Sequence, residues 1–204
     1  FEQDDIILNN IALNFFGSID NTLVLSEVNL KDVGNFDFVI IRHRPLSLDI
    51  IDFIIVEFQS DSTTGTGKLV ENVKDINEGH NQNQNFFFGF EQLITIKLMF
   101  LQLLKKGQVV ENWNKNIVWV VQDRLYHNLI NRFNFSDTKF DKSLHNHFFT
   151  YSLCESEEKF VLKPWKKYSY SISDFIEAFS KPSQLPSVDA FIQILQSKMP
   201  TGIF

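Results

Sequence analysis

Cysteine is nearly missing from this chain: Cys154 is the only one in 204 residues. A lone thiol excludes an internal disulfide and any four-cysteine zinc or iron site. It favours a reducing cytoplasm as the protein's home. Long apolar runs are missing too, since nothing approaches the roughly 18 residues that a membrane-spanning helix needs. No signal-peptide pattern opens the chain, which begins with Phe1 rather than Met and so reads as trimmed or incomplete at that end. Positive charge is in deficit: 19 Lys and Arg against 25 Asp and Glu leave a formal charge of −6. That removes any global pull toward polyanions, although one local basic cluster would be enough to hold one. Internal repeats and low-complexity segments are also lacking.

Phenylalanine is what the chain has in plenty, with 22 copies against 3 Trp and 4 Tyr. Each ring buries a large apolar area, so the core is expected to be aromatic-rich. With hydrophobic residues at 44% and charged residues at 22%, the composition is that of a globular protein. The length suits a single domain spanning 1–204. Its most legible part is about 20–133, with a less legible C-terminal part at 134–204.

Apolar spacing after Asp5 predicts a helix over 5–16, stopped by Gly17 and Ser18. Residues 21–29 alternate loosely and fit either a strand or the tail of that entry region. Strands are predicted over 36–42 and 50–59, joined by a turn from Arg42 to Leu48 that contains Pro45. The second strand is apolar throughout except at Asp52 until it reaches Glu57-Phe58-Gln59, which argues for a central position. A Thr/Gly run then leads to a short amphipathic helix over 68–76 and a polar, Asn-rich loop over 77–85. A strongly apolar helix over 92–106 is expected to stop at Gly107. A strand over 117–121 follows, then a helix over 124–133 capped by Gln122 and Asp123. Beyond it, strands over 148–153 and 159–163 and helices over 173–179 and 188–198 complete an α/β fold with a mixed sheet.

The acids in the two strands need a reason. Side chains two apart on a strand share a face, so Glu57 and Gln59 project together while Phe58 turns to the opposite layer. A hairpin centred on Ser47 places Asp37 directly across from Glu57. Neighbouring strands lie roughly 4.8 Å apart, close enough for both carboxylates to share one cation. Unpaired, two like charges at that distance raise each other's pKa. A divalent cation resolves the conflict, and an oxygen-only pair suits Mg²⁺. The same hairpin puts Asp52 on the other face opposite Arg42, as an ordinary ion pair. It leaves Asp49 roughly 26 Å from Glu57 along the strand. Glu27 reads as a solvated surface carboxylate.

An acid on one strand followed by Glu-x-Gln on the next resembles the PD-(D/E)XK nucleases. Val56-Glu57-Phe58-Gln59, the stretch Ser62-Thr63-Thr64-Gly65-Thr66-Gly67-Lys68-Leu69-Val70 and Val118-Trp119-Val120-Val121-Gln122-Asp123 resemble the NotI-like restriction endonucleases in particular. The likeness covers about residues 34–130. It implies a restriction-endonuclease-like core, a mixed β-sheet flanked by helices. It also implies a Mg²⁺-dependent, sequence-specific endonuclease that cuts double-stranded DNA to 5′-phosphate ends, working as a homodimer without a nucleotide cofactor. Asp37 and Glu57 would be metal ligands, with the Phe58 carbonyl as a third oxygen, and Gln59 would take the place usually held by lysine. A neutral amide orients water but brings no positive charge, so Lys68 or Lys74 is a candidate for the missing cation. With one cysteine, the chain has no counterpart to the cysteine-bound iron site of the family's namesake. The rival expectation is a catalytically silent binding domain on the same scaffold, and a third is a metal-dependent hydrolase of RNA or small phosphoesters.

Other motifs are weaker. Gly65-Thr66-Gly67-Lys68-Leu69 lacks both the first glycine and the final hydroxyl of a phosphate-binding loop. His145-Asn146-His147 has no third metal ligand nearby in sequence and reads as surface or loop histidines. Lys163-Pro164-Trp165-Lys166-Lys167-Tyr168 is the most basic-aromatic patch and suits phosphate contact with base stacking, or an ordinary solvated loop. Arg42, His43 and Arg44 form a second basic cluster.

Overall fold

The computed structural model describes residues 6–59, 63–64, 74, 78, 89–90, 92–133, 135, 138–156, 159–180 and 187–198. Helix α1 (Ile6–Phe16) leads into three strands, β1 (Thr22–Leu30), β2 (Gly34–His43) and β3 (Ile50–Gln59). Two short strands, β4 (Thr63–Thr64) and β5 (Gly89–Phe90), pair with each other apart from the main sheet. Helix α2 (Gln92–Gln102) runs through a π-helical turn (Leu103–Gly107) into α3 (Gln108–Asn112). Then come β6 (Asn116–Gln122), α4 (Asp123–Phe133), the long hairpin β7 (Asn146–Ser156) and β8 (Lys159–Tyr170), and the helices α5 (Ile172–Ser180) and α6 (Val188–Lys198).

The main sheet has six strands in the order β1-β2-β3-β6-β7-β8. β3–β6 and β6–β7 are parallel, and the remaining pairs are antiparallel. Continuous apolar sequence accounts for the centre. Ile54, Ile55 and Val56 of β3 and Val118 to Val121 of β6 are buried on both faces, as strands covered by helices on each side must be. On one face, Val39, Ile41, Ile55, Ile117, Trp119 and Val121 meet Met99, Leu103, Val110, Leu125, Leu129 and Phe175 from the helices. On the other, Ile40, Ile54, Val118, Val120 and Phe149 pack on Leu8, Ile11 and Ala12 of α1. The result is α/β with a mixed sheet flanked by helices. The expected aromatic core is present, with Phe135, Phe148, Phe175, Tyr126, Tyr168 and Tyr170 stacked or edge-on in the first layer.

The β2–β3 register is the expected one. Phe38 stands opposite Val56 and Arg42 opposite Asp52, with a shift only beyond, between Arg42 and His43. Other expectations are revised. Residues 22–30 form a strand, which resolves the open reading of that region. Gly107 does not end its helix; it sits at φ −61°, ordinary right-handed helical backbone, inside the π turn. Its role is close approach, since a Cβ there would overlap Asn146 Oδ1 and meet Ile172 Cδ1 at 2.9 Å. β8 extends well past 163, carrying Pro164 on the sheet's edge where no ladder bond from its nitrogen is needed. The predicted helix over 68–76 and loop over 77–85 fall almost wholly outside the described residues.

Candidate functional site

β3 ends in three residues whose side chains and backbone meet one corner of the sheet. Phe58 turns to the α1 layer and packs edge-on against Phe38, with ring centroids 5.4 Å apart. Glu57, whose register partner on β6 is Trp119, faces the opposite layer beneath the π turn. Asp37, continuing the β2–β3 register across from Glu57, accepts a hydrogen bond at Oδ2 from the Phe58 amide at 2.8 Å. The N–H and C=O of one residue in an extended strand point to the same side, so the Phe58 carbonyl also faces Asp37. Val33, Gly34, Asn35, Asp37, Glu57, Phe58, Gln59, Gln102 and Lys106 line a cavity of about 570 Å³.

Two residues of the helical segment reach this corner four positions apart, as one helical face presents them. Gln102 Oε1 accepts a hydrogen bond of 2.7 Å from Gln59 Nε2. Lys106 Nζ donates to Glu57 Oε2 at 2.8 Å and to the Asn35 carbonyl at 2.6 Å, and it lies 5.4 Å from the centre of the Phe36 ring. Both members of the Glu57–Lys106 pair are buried, at 1% and 7% side-chain exposure. Burial pushes the Glu57 carboxyl up to about 7, and the negative Asp37 adds to the rise. Lys106 and the nearby Asp37 amide offset part of it. Breaking such a buried pair by deleting one partner typically costs about 3–5 kcal/mol.

Two polar atoms at this corner are buried without a hydrogen-bond partner: Glu57 Oε1 and the indole nitrogen of the neighbouring Trp119. The oxygen set of Asp37, Glu57 with its unused Oε1, and the Phe58 carbonyl has the hard-donor chemistry that Mg²⁺ takes. Among the described residues, no group of three or more His, Cys, Asp or Glu converges. Among the described residues, the oxygen donors at this corner that suit a hard cation are these two carboxylates and that carbonyl.

Of the cation candidates named from sequence, only Lys74 falls among the described residues. Lys74 is exposed and lies 4.0 Å from Glu78, and Lys68 is outside the described residues, as is the Gly65–Leu69 motif. Lys106 was missed, although the sequence carried a signal for it. It occupies the stripe Ile96, Met99, Leu103, Lys106, Val110, spaced 3, 4, 3 and 4, where every other member is buried and apolar. Reading Gly107 as a helix stop hid that stripe's continuation.

The other motifs resolve clearly. Asp52 does stand opposite Arg42, but its carboxylate pairs with Lys115 Nζ at 2.6 Å, while Arg42 donates to the Phe16 carbonyl at 3.4 Å. The Arg42–Arg44 cluster sits at the far end of β3 from Glu57. His147 is fully buried on β7 rather than at the surface, bonded to Ser169 Oγ at 2.8 Å and Asn116 Oδ1 at 3.1 Å. Trp165 lies on edge strand β8, 59% exposed. Gln59, Val121 and Thr150 are successive register partners, and Thr150 bonds the Lys166 backbone. The basic-aromatic strand therefore lies three strands and about 14 Å from Gln59, with Trp165 and Lys167 on the α1 face of the sheet, opposite the one that carries Gln59. No protein-family model and no curated protein matches this sequence. No described helix is long and apolar enough to cross a membrane.

Proposed function

We propose that this protein is a Mg²⁺-dependent, sequence-specific endonuclease of restriction type that hydrolyses double-stranded DNA to 5′-phosphate ends. The observation that carries the reading is the placement of Asp37 across a hairpin from Glu57, with the Phe58 carbonyl facing the same corner. A helix, three antiparallel strands, a helical crossover and a parallel strand support the restriction-endonuclease-like core that the motif resembles. Lys163 and Lys166, exposed beside Trp165 on edge strand β8, supply a surface suited to phosphate and base contact despite the acidic total, while Lys167 is held by Asn14 of α1.

Mg²⁺ held by Asp37, Glu57 and the Phe58 carbonyl would lower the pKa of a bound water and offset charge on the phosphate. The residues do the rest. Asp37 is fixed by the Phe58 amide, which leaves Oδ1 for the site. Gln59, held by Gln102, presents its carboxamide oxygen as an acceptor that orients the attacking water. Two such chains would act on the two strands of a duplex as a homodimer.

The test is cutting of varied duplex DNA with Mg²⁺ by the wild type and by Asp37→Asn and Glu57→Gln, which keep the shape of the site. Each variant should lose at least about 100-fold in rate, the scale of a lost electrostatic contributor. Full cutting by either one would refute the assignment. A second reading, a catalytically silent DNA-binding domain, is favoured by the Glu57–Lys106 pair, which neutralises the acid without a metal. It predicts duplex binding with no Mn²⁺ uptake dependent on Asp37.

A further inference from the structure

We infer that Lys106, carried by the π turn, is the cation that contacts the scissile phosphate, in place of the lysine that Gln59 displaces. The inference rests on the nuclease reading above. Gln59 is neutral, and its amide is already engaged by Gln102 at 2.7 Å. One helical turn on, Lys106 brings the only ammonium group among the described residues lining the cavity. An ammonium has three donors; Asn35 and Glu57 take two of them, at 2.6 and 2.8 Å. The third is left for a ligand oxygen.

Burial makes this charge effective. In a site shielded from water an ammonium acts on a phosphate far more strongly than a surface lysine does. The cost of holding it there is met by Glu57, and the Phe36 ring beneath it adds a further favourable contact. A purely structural lysine would be a poor choice, because an apolar residue of similar volume serves a core as well or better. The π turn adds to the case, since such single-turn insertions gather at functional sites. In the hydrolysis, a water oxygen forms the new bond to phosphorus and its proton passes to solvent. The bond from phosphorus to the 3′ oxygen breaks, and that oxygen leaves with the electron pair and is protonated from solvent. Lys106 stabilises the charge growing on the non-bridging oxygens.

Four proteins test this: the wild type, Lys106→Met, Gln59→Lys, and the double variant Lys106→Met/Gln59→Lys. Each is assayed for Mg²⁺-dependent cutting, for Mn²⁺ binding to the free protein by electron paramagnetic resonance, and for thermal unfolding. Lys106→Met should cut about 100-fold more slowly while still binding Mn²⁺ through Asp37. In the double variant, a lysine at the motif position should restore cutting to within about tenfold of the wild type. A structural lysine would give no such rescue. Cutting by Lys106→Met within about threefold of the wild type overturns the inference and leaves the nuclease reading standing. So does a folded, Mn²⁺-binding double variant that cuts no faster than Lys106→Met when Gln59→Lys alone cuts within about tenfold of the wild type. Should Lys106→Met fail to fold, the double variant decides by itself, because its new lysine can re-pair Glu57. A wild type that neither cuts nor binds Mn²⁺ overturns both.

Discussion

Glu57 on β3 and His147 on β7 are both polar residues buried in the same sheet, and they differ in what surrounds them. His147 has a hydrogen-bond partner for each ring nitrogen and packs against Phe15 and Phe140. Glu57 has Lys106 on one oxygen, nothing on the other, and a cavity in front. Burial acts on both in the same physical way, by penalising charge, and drives their pKa values in opposite directions. The histidine is held neutral down to about 3 and the carboxyl keeps its proton up to about 7. A buried polar group with every bond made is part of the scaffold. One with an unpartnered oxygen in a cavity lining, as at Glu57, is where the proposed cation would be held.

The sharpest way to break this contrast is to neutralise each residue and measure Mn²⁺ binding. Glu57→Gln should abolish binding that depends on Asp37, and His147→Asn should leave it unchanged; equal loss in both would erase the distinction. His147→Asn should instead cost about 1–3 kcal/mol in urea unfolding, the penalty for leaving Ser169 or Asn116 unpaired.

pH gives the next largest effect. An unfolded imidazole takes up a proton near 6.5, whereas His147 resists until about 3. Across that window the unfolded state binds more protons, so stability should fall as pH drops from 6.5 toward 3. Lowering of the ring's proton affinity by nearby His145 adds to the effect of burial. For Glu57 the sign reverses. The folded carboxyl keeps its proton to about 7 while the unfolded one loses it near 4.5, so metal-free stability should decline as pH rises through that window. Glu57→Gln should remove that decline in urea unfolding, and a slope that persists would show that another group causes it. Mn²⁺ affinity should strengthen over the same rise, since cation and proton compete for one carboxylate. The smallest effect belongs to Asp52→Asn, whose partly exposed bridge to Lys115 should contribute under about 1 kcal/mol.

The hairpin was legible in the sequence because its alternation and its turn agree. Apolar parity put Glu57 and Gln59 on one face, and the turn around Ser47 fixed which acid stands opposite. The bulge after Arg42 falls outside those pairs and leaves them intact. Tertiary choices were not legible. Asp52 had two cations within reach, and only packing selects Lys115 over its cross-strand neighbour. Gly107 is ambiguous in one dimension, because a helix stop and a tight helix–strand contact both call for a missing side chain. Lys163 to Tyr168 read as a loop from Pro164 and its lysines, yet an edge strand tolerates both. His147 looked superficial because nothing in a tripeptide reveals Ser169 or Asn116.

The place of Lys106 in the chain also bears on the expected order of assembly. Asp37 and Phe58 are 21 residues apart and are joined by a hairpin, whereas Lys106 lies 49 residues beyond Glu57. Local pairs close before distant ones because their loops cost less entropy. The nascent hairpin therefore brings two acids together before their lysine arrives. Until the helix docks, that corner must borrow a proton or a dissolved cation, so folding speed should respond to acidity and divalent salt through this one spot.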